Sequence, residues 1–287
     1  MSEKPFPLLN FPPDVIKKVL PYFRIPDIVD LSLCSPEAKE AVKSAEFPVK
    51  ELNIGSNYLA VMGNYDDCVP VCNWRLCHED VSKHWHWRTV DGVKFRSIEH
   101  PRKKTFIRTE CRSYEKALTA LFTHFNEIFR CPTESICFTE EIQNDDDFCD
   151  LISVIRTCNS FVLQGHSVSK RVAQYVLDNL EVSRSFQIGG VPGDFRTDKV
   201  FNLCWIGIRD SAWVTLPILL NMKCQNIDLY DSPLTAEDLK AYIEIWLEGS
   251  DKKLEKLQVV LDGSSDCTSI MEEAHVYEDS GTESHEE

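Results

Sequence analysis

Cysteine and histidine side chains are concentrated in one short segment, and both types bind zinc. The candidate ligands are Cys68, Cys72, Cys77, His78, His84 and His86. Thiolate sulfur and imidazole nitrogen are the usual donors of a tetrahedral zinc site. However, the spacing lacks the common Cys-x2-Cys pair, and cysteines at positions 68, 72 and 77 cannot share one face of a regular strand. We therefore predict that no metal or other cofactor is bound, with a zinc-binding hydrolase as a remote alternative.

Other catalytic signatures are missing from the sequence. It contains no Gly-x-Ser-x-Gly elbow, phosphate-binding loop, His-Glu-x-x-His or Gly-x-Gly-x-x-Gly pattern. The run Gly165-His166-Ser167 lies between a predicted strand and a predicted helix, but it lacks the second glycine of a nucleophile elbow. Helix capping accounts for Ser167 or Ser169 equally well. We predict that the chain is not an enzyme and has no catalytic residues.

Composition is typical of a folded protein with an ordinary core. Of the 287 residues, 43% are hydrophobic and 27% are charged. The longest uncharged apolar stretch, residues 211–222, is too short to span a bilayer. The 12 cysteines are irregularly scattered, which favours reduced, mostly buried thiols over a disulfide framework. We expect an intracellular protein, in cytoplasm or nucleus, that does not contact a membrane.

Charge is unevenly distributed along the chain. The net charge is −15 overall, with +3 over residues 49–130, −8 over residues 131–261 and −9 over residues 262–287. So acidic a chain is repelled by phosphate backbones, which argues against a nucleic-acid partner. The last segment has too few apolar groups to fold, so we predict a disordered acidic tail over residues 262–287. One basic cluster is interpreted as a solvated face rather than a contact for an acidic partner: Lys94, Arg96, Arg102, Lys103, Lys104, Arg108 and Arg112.

Residues 8–44 carry the signals of three short helices. Pro13, Pro26 and Pro36 each suit the first turn of a helix, and Ser35 is a good N-cap. Apolar residues recur at helical spacing after each start. Fewer than about 40 residues cannot cover so much apolar surface, so these helices must dock on the rest of the chain or on another protein.

The same segment resembles an F-box. The matching runs are Phe11-Pro12-Pro13-Asp14-Val15-Ile16-Lys17-Lys18-Val19-Leu20 and Ile25-Pro26-Asp27-Ile28-Val29-Asp30-Leu31-Ser32-Leu33-Cys34. The family opens with Leu-Pro, so Phe11 is a departure, and Pro21 is expected to kink or end the first helix. The resemblance implies binding to the Skp adaptor of a cullin–RING ubiquitin ligase. It assigns as adaptor-facing Phe11, Pro12, Val15, Ile16, Leu20, Ile28, Leu31 and Leu33.

Residues 49–112 are predicted to form a small antiparallel β region. Its clearest signal is Asp91-Gly92, a two-residue hairpin turn between two short β segments. From residue 113 helical stripes alternate with short apolar strands that recur about every 25 residues. Predicted strands include residues 136–138, 161–163, 186–188, 203–206, 227–229 and 257–261. The run Gly189-Gly190-Val191-Pro192-Gly193 replaces a helix and is the expected break.

The predicted fold class is therefore α+β or α/β. Its predicted domains are a three-helix F-box at 1–48, a β-rich linker domain at 49–112 and a strand–helix domain at 113–261, followed by the tail. The strand–helix domain is expected to be leucine-rich-repeat-like, with a mostly parallel sheet.

The C-terminal region resembles the F-box-associated domain (type 2) of a nematode-type family. The supporting residues are Leu121-Phe122, Ile136, Asp231-Ser232-Pro233-Leu234-Thr235, Asp238-Leu239, Trp246 and Leu257. Both resemblances together imply a substrate-recognition subunit of a Skp–cullin–F-box ubiquitin ligase, with an unknown target protein on the C-terminal domain. A non-degradative interaction scaffold is the alternative. The chain's tryptophans Trp205, Trp213 and Trp246 are interpreted as core rather than as interface anchors.

Overall fold

The computed structural model describes residues 8, 11–64, 69–78, 85–100, 102–103, 105–249 and 253–261. The predicted acidic tail lies outside this set, as do Cys68 and His84 of the candidate zinc ligands. Within the described ranges, no helix combines the length and apolarity that crossing a membrane requires.

Two compact units make up the chain. The first is Met1–Val162 with Tyr175–Ser183, and the second is Leu163–Gln174 with Arg184–Glu287. The predicted limits at residues 48 and 112 both fall inside the first unit, and the domain assignment stays a prediction.

The helices lie where the sequence predicts helical stripes, except for α7, which the sequence did not indicate. Two short 3₁₀ turns, Leu20–Tyr22 and Ser211–Trp213, accompany them. The helices are α1 Pro13–Val19, α2 Ile25–Ser32, α3 Pro36–Lys43, α4 Tyr114–Phe129, α5 Asp145–Ile155, α6 Lys170–Asn179, α7 Leu216–Leu220 and α8 Ala236–Glu248.

The fold is mixed α+β, with a large, mostly parallel sheet that includes some antiparallel strands, which confirms the predicted fold class. The strands are β1 Val49–Gly55, β2 Tyr58–Gly63, β3 Pro70–Cys77, β4 His86–Val90, β5 Val93–Glu99, β6 Phe106–Glu110, β7 Thr133–Phe138, β8 Thr157–Gln164, β9 Glu181–Gly189, β10 Trp205–Ile208, β11 Asn226–Ser232 and β12 Lys256–Leu261.

Sequence signals at the N-terminus act as predicted. Ser35 caps α3 by accepting a hydrogen bond from the backbone N–H of Ala38. Pro21 coincides with the end of α1, where the chain tightens into the 3₁₀ turn because proline cannot donate the next helical bond. The two chain segments that resemble an F-box therefore form α1 and α2.

In the first unit, strands follow the spatial order β4-β5-β6-β3-β2-β1-β7. The pairs β4–β5, β5–β6, β1–β2 and β2–β3 are antiparallel, whereas β3–β6 and β1–β7 are parallel. The β4–β5 turn has positive φ at both Asp91 (47°) and Gly92 (78°), the geometry of a type I′ hairpin. Parallel pairing of β1 with β7 continues the sheet from the predicted β region into the predicted strand–helix region.

In the second unit, residues of β9 pair in parallel with β10, β10 with β11, and β11 with β12. No helix separates β9 from β10, as predicted for the run Gly189–Gly193, but the two strands pair directly, so the sheet is not interrupted there. Strand β10 lies at residues 205–208 rather than at the predicted 203–206. A Cβ at Gly190 would lie 2.3 Å from the carbonyl oxygen of Gly165, so this turn tolerates only glycine.

Candidate protein-docking surface

The N-terminal helices bury one apolar face within their own unit. Side chains with at most 9% exposure come from all three helices and the segment after them: Ile16, Leu20, Ile25, Ile28, Val29, Ala38, Val42 and Ala45. Phe47 extends this packing by meeting Phe129 of α4 edge-to-face, with ring centroids 5.6 Å apart. Burial on this scale fixes the helices to the first unit.

Two arginine ion pairs join the helices to the sheet. Arg88 on β4 donates to both carboxylate oxygens of Asp30 on α2, at 2.6 and 2.8 Å. Such a bidentate pair fixes orientation as well as distance. The same guanidinium lies 5.7 Å from the ring centre of the buried Trp74. Arg24 bridges Asp27 on its own helix and Glu99 on β5.

A buried hydrogen bond between Ser32 and His124 connects α2 to α4. The Ser32 hydroxyl donates to the carbonyl of Val29 at 2.6 Å, so its oxygen is left to accept from Nε2–H of His124 at 2.7 Å. His124 is 3% exposed. Burial, with a smaller contribution from the positive charge of Lys39, lowers the pKa of His124 to about 4. The imidazole is therefore neutral near pH 7.

Lysines of α3 meet one carboxylate of α4. Lys39 and Lys43 both contact Glu127, the latter at 3.2 Å. The hydrogen bond from Lys39, aided by the one from Lys43, holds the pKa of Glu127 below its ordinary value. These groups lie at the surface, so the pairs orient α3 more than they stabilise it.

Outside this anchored face, an apolar stripe faces solvent. We call it the exposed stripe. It consists of Phe11 (39% exposed), Val15 (41%), Val19 (37%), Tyr22 (90%) and Phe23 (42%). The first three are four residues apart, which places them along one side of α1 and the residues before it. A row of large apolar side chains in solvent is characteristic of a protein-binding surface.

The residues that the F-box resemblance assigns to the adaptor are divided between the two faces. Phe11, Pro12 and Val15 are exposed, Leu31 and Leu33 are half-buried, and Ile16, Leu20 and Ile28 are buried against the chain itself. Their assignment to an adaptor stays a prediction. The resemblance did not point to Val19, Tyr22 or Phe23, although the four-residue spacing from Phe11 was a usable signal for Val19.

The described part of the candidate zinc segment has structural roles. Cys72 is buried on β3, and burial raises the pKa of its thiol to about 12, which disfavours the thiolate that zinc needs. The His78 ring stacks on Tyr114 at 4.2 Å, donates from Nδ1 to the carbonyl of Cys111 and accepts from Gln143. Among the described residues, no three metal-binding side chains come together. The absence of metal stays a prediction, because Cys68 and His84 are not described.

The second unit presents one flat aromatic side chain on its sheet. A Cβ at Gly207 would lie 2.5 Å from the Trp205 ring, so the indole lies across the glycine of its own strand. Its Nε1–H donates to the carboxylate of Asp228 on β11 at 2.6 Å, and Lys256 on β12 approaches the same carboxylate at 3.4 Å. Trp205 is half-buried, Trp246 is 37% exposed and Trp213 is fully buried, so only Trp213 is plainly core.

Comparison with known proteins finds a family match for part of the second unit. Residues 194–259 match the family described as F-box associated. The matched segment contains β10, β11 and the Trp205–Asp228 pair, and it agrees with the resemblance found in the C-terminal half. The match does not extend to residues 8–44.

Similar curated proteins come from the nematode Caenorhabditis elegans. The uncharacterized protein F59B2.9 is 22% identical over 268 residues, covering 88% of this chain and 61% of that protein. The E3 ubiquitin-protein ligase hecw-1 is 21% identical over 283 residues, covering 85% of this chain and 22% of that protein. The uncharacterized protein F59B2.8 is 21% identical, with 88% and 60% covered. The chain thus spans about 60% of the length of two relatives and about a fifth of the third, and no solved structure matches it.

Proposed function

We propose that this chain is a substrate-recognition subunit of a Skp–cullin–F-box ubiquitin ligase. In this proposal the N-terminal helices bind the Skp adaptor, and the strand–helix region with its F-box associated segment binds a target protein. The chain then recruits the target, and other subunits transfer ubiquitin. The observation that carries the proposal is the exposed stripe on helices whose opposite face is already packed on the chain.

The free energy gained by burying the exposed stripe supports a protein partner for it. Each large apolar side chain contributes about 1.5–3 kcal/mol when it passes fully from water into an apolar contact. Four of the five stripe residues are already more than half covered, so their gain is a fraction of this, whereas Tyr22 is 90% exposed and has most of its surface left to bury. Several such side chains in one patch are enough for the centre of a standard protein interface.

Within the proposal, the residues assigned by the F-box resemblance have two roles. Phe11, Pro12 and Val15 make direct contact with the adaptor. Ile16, Leu20 and Ile28 instead pack within the first unit and hold the helices in place. Leu31 and Leu33, which are half-buried, lie at the edge of the contact. This division follows from burial, because a side chain with no exposed surface cannot touch a partner unless the helices move.

Two further observations support the cellular context. The ten described cysteines are all free thiols, as expected for a protein of a reducing, intracellular compartment. One relative, of which the match covers 22%, is named an E3 ubiquitin-protein ligase, and this name supports a link to ubiquitin ligation. For the target, the −8 charge of residues 131–261 favours a basic surface through electrostatic steering.

A direct test compares exposed and buried positions of α1. The double variant Val15→Asp, Val19→Asp places two charges on the stripe and should abolish co-purification with the Skp adaptor without unfolding the chain, since both side chains are over a third exposed. The matched control Lys17→Ser, Lys18→Ser alters exposed polar positions of the same helix and should retain binding. Leu20→Ala is unsuitable, because it empties a fully buried site and costs about 2–5 kcal/mol.

The alternative, a non-degradative scaffold, is supported by the docking of the helices on their own unit. If the stripe variant binds the adaptor as well as the unaltered chain does, the adaptor proposal is wrong and the scaffold is preferred. If binding is lost but the chain's captured partners keep the same abundance and ubiquitination in cells that carry the stripe variant, the recruitment step is wrong instead.

A further inference from the structure

A groove in the first unit combines basic walls with an apolar floor. Its volume is about 570 Å³, within the range of ligand-binding clefts. It lies between the β4–β5 hairpin and the start of α4. Phe95 and Ala117, each 1% exposed, contribute to the floor. Trp87, which is 71% exposed, forms part of the rim.

Positive charge predominates in the groove. Four cationic side chains line it, Lys94, Arg96, Arg112 and Lys116, against the single carboxylate of Glu110. Arg96 is paired with that carboxylate, with its Nε 2.8 Å from the oxygen. Lys116 is 69% exposed and approaches Asp147 only at 3.4 Å. For Lys94 and Arg112, the described residues provide no ion-pair partner.

The positive charge of this groove contrasts with the chain as a whole, whose net charge is −15. Acidic side chains outnumber basic ones overall, 46 to 31, whereas cations outnumber carboxylates in the lining of the groove. Of the basic cluster seen in the sequence, only Lys94, Arg96 and Arg112 line the groove, and Lys104 is not described. Three residues of the cluster therefore line the groove together with Lys116 of α4.

We propose that this groove binds an acidic peptide segment of a partner protein, with one apolar side chain of that segment packed against Trp87. Carboxylates, or phosphate groups on the same segment, pair with Lys94, Arg112 and Lys116. The flat, exposed indole gives an apolar side chain a contact that the cations alone cannot provide. A nucleic acid fits less well, because the whole chain repels a phosphate backbone and Glu110 lies in the lining.

This site is separate from the proposed adaptor contact, since none of its lining residues belongs to the exposed stripe. The probe is a fluorescein-labelled peptide in which glutamates flank one phenylalanine, and its binding to the full chain is measured by fluorescence anisotropy without adaptor. The double variant Lys94→Glu, Arg112→Glu should weaken binding about tenfold or more. A second variant, Lys94→Gln, Arg112→Gln, removes charge without reversing it and should weaken binding less.

The matched control is Arg102→Glu, Lys103→Glu, which makes the same charge change at exposed positions outside the groove. It should change affinity by no more than about twofold, because screening limits distant surface charges. An equal loss in this control would mean general attraction and overturn the site. The proposal is also overturned if the unaltered chain does not bind the peptide, if the groove variants bind normally, or if a labelled oligothymidylate binds more tightly. A phenylalanine-to-alanine peptide that binds equally well refutes the contact with Trp87.

Discussion

Acidification should loosen the attachment of the N-terminal helices through His124. This side chain is buried and neutral in the folded chain, with a pKa lowered to about 4 by burial and then by Lys39. In the unfolded chain its pKa returns to about 6.5. A lowered histidine pKa means that the unfolded state takes up the proton first, so stability is fully present above about pH 6.5 and falls as the pH drops towards 4.

The magnitude follows from the two pKa values. Between pH 7.5 and pH 5 the linkage amounts to about 2 kcal/mol of unfolding free energy, and the limit below pH 4 is about 3 kcal/mol. The nearby carboxylate Glu127 has a lowered pKa and adds its own loss only at more acidic pH. The window from pH 7.5 to pH 5 therefore isolates the histidine.

Urea unfolding followed by circular dichroism at several pH values measures this effect. His124→Gln keeps a donor near Ser32 but cannot titrate, so its unfolding free energy should vary much less over the window. His166→Gln alters an exposed histidine and should follow the unaltered chain. If unaltered chain and His124→Gln lose the same stability on acidification, the reasoning about the buried imidazole is refuted.

Two smaller predictions concern the second unit. Gly207→Ala should destabilise this unit by about 1–3 kcal/mol in a urea titration and shift its tryptophan emission, because the new methyl group overlaps the Trp205 ring. The control Gly165→Ala, where a Cβ meets its nearest neighbour at 3.6 Å, should be nearly neutral in the same titration. Thr235→Ala should cost about 1 kcal/mol, because Thr235 and Asp238 form a reciprocal capping box at the start of α8. Thr235→Ser should retain that stability, and a Ser variant as unstable as the Ala variant would contradict the capping explanation.

Local signals predicted the elements well because their causes are local. The start of α3 at Ser35, the end of α1 near Pro21 and the Asp91-Gly92 hairpin each depend on a few neighbouring residues. The cap of α5 is equally local, because Asn144 accepts from the backbone N–H groups of Asp146 and Asp147. Helix α7 was missed because its five residues give no measurable periodicity.

Non-local features could not be predicted from one sequence. The parallel pairing of β1 with β7 joins segments about 80 residues apart, and no turn signal records it. The apolar periodicity also predicted α1, but it did not predict which face of α1 packs against the rest of the first unit. Ile16 and Val15 are equally apolar neighbours, yet one is 5% exposed and the other 41%. That difference follows from the packing of α1 against α3, and it determines which residues remain for a partner.

The way the helices are anchored bears on how an adaptor would bind. A segment of fewer than about 40 residues that folded only on binding would lose affinity to its own ordering entropy. Here Arg88–Asp30, Ser32–His124 and the buried face already fix the helices. The stripe is therefore preorganised, and a partner has to immobilise only its exposed side chains, at about 0.5–1.5 kcal/mol each. It follows that an adaptor would meet a rigid surface, and that loosening the anchors would weaken binding even when every stripe residue is intact.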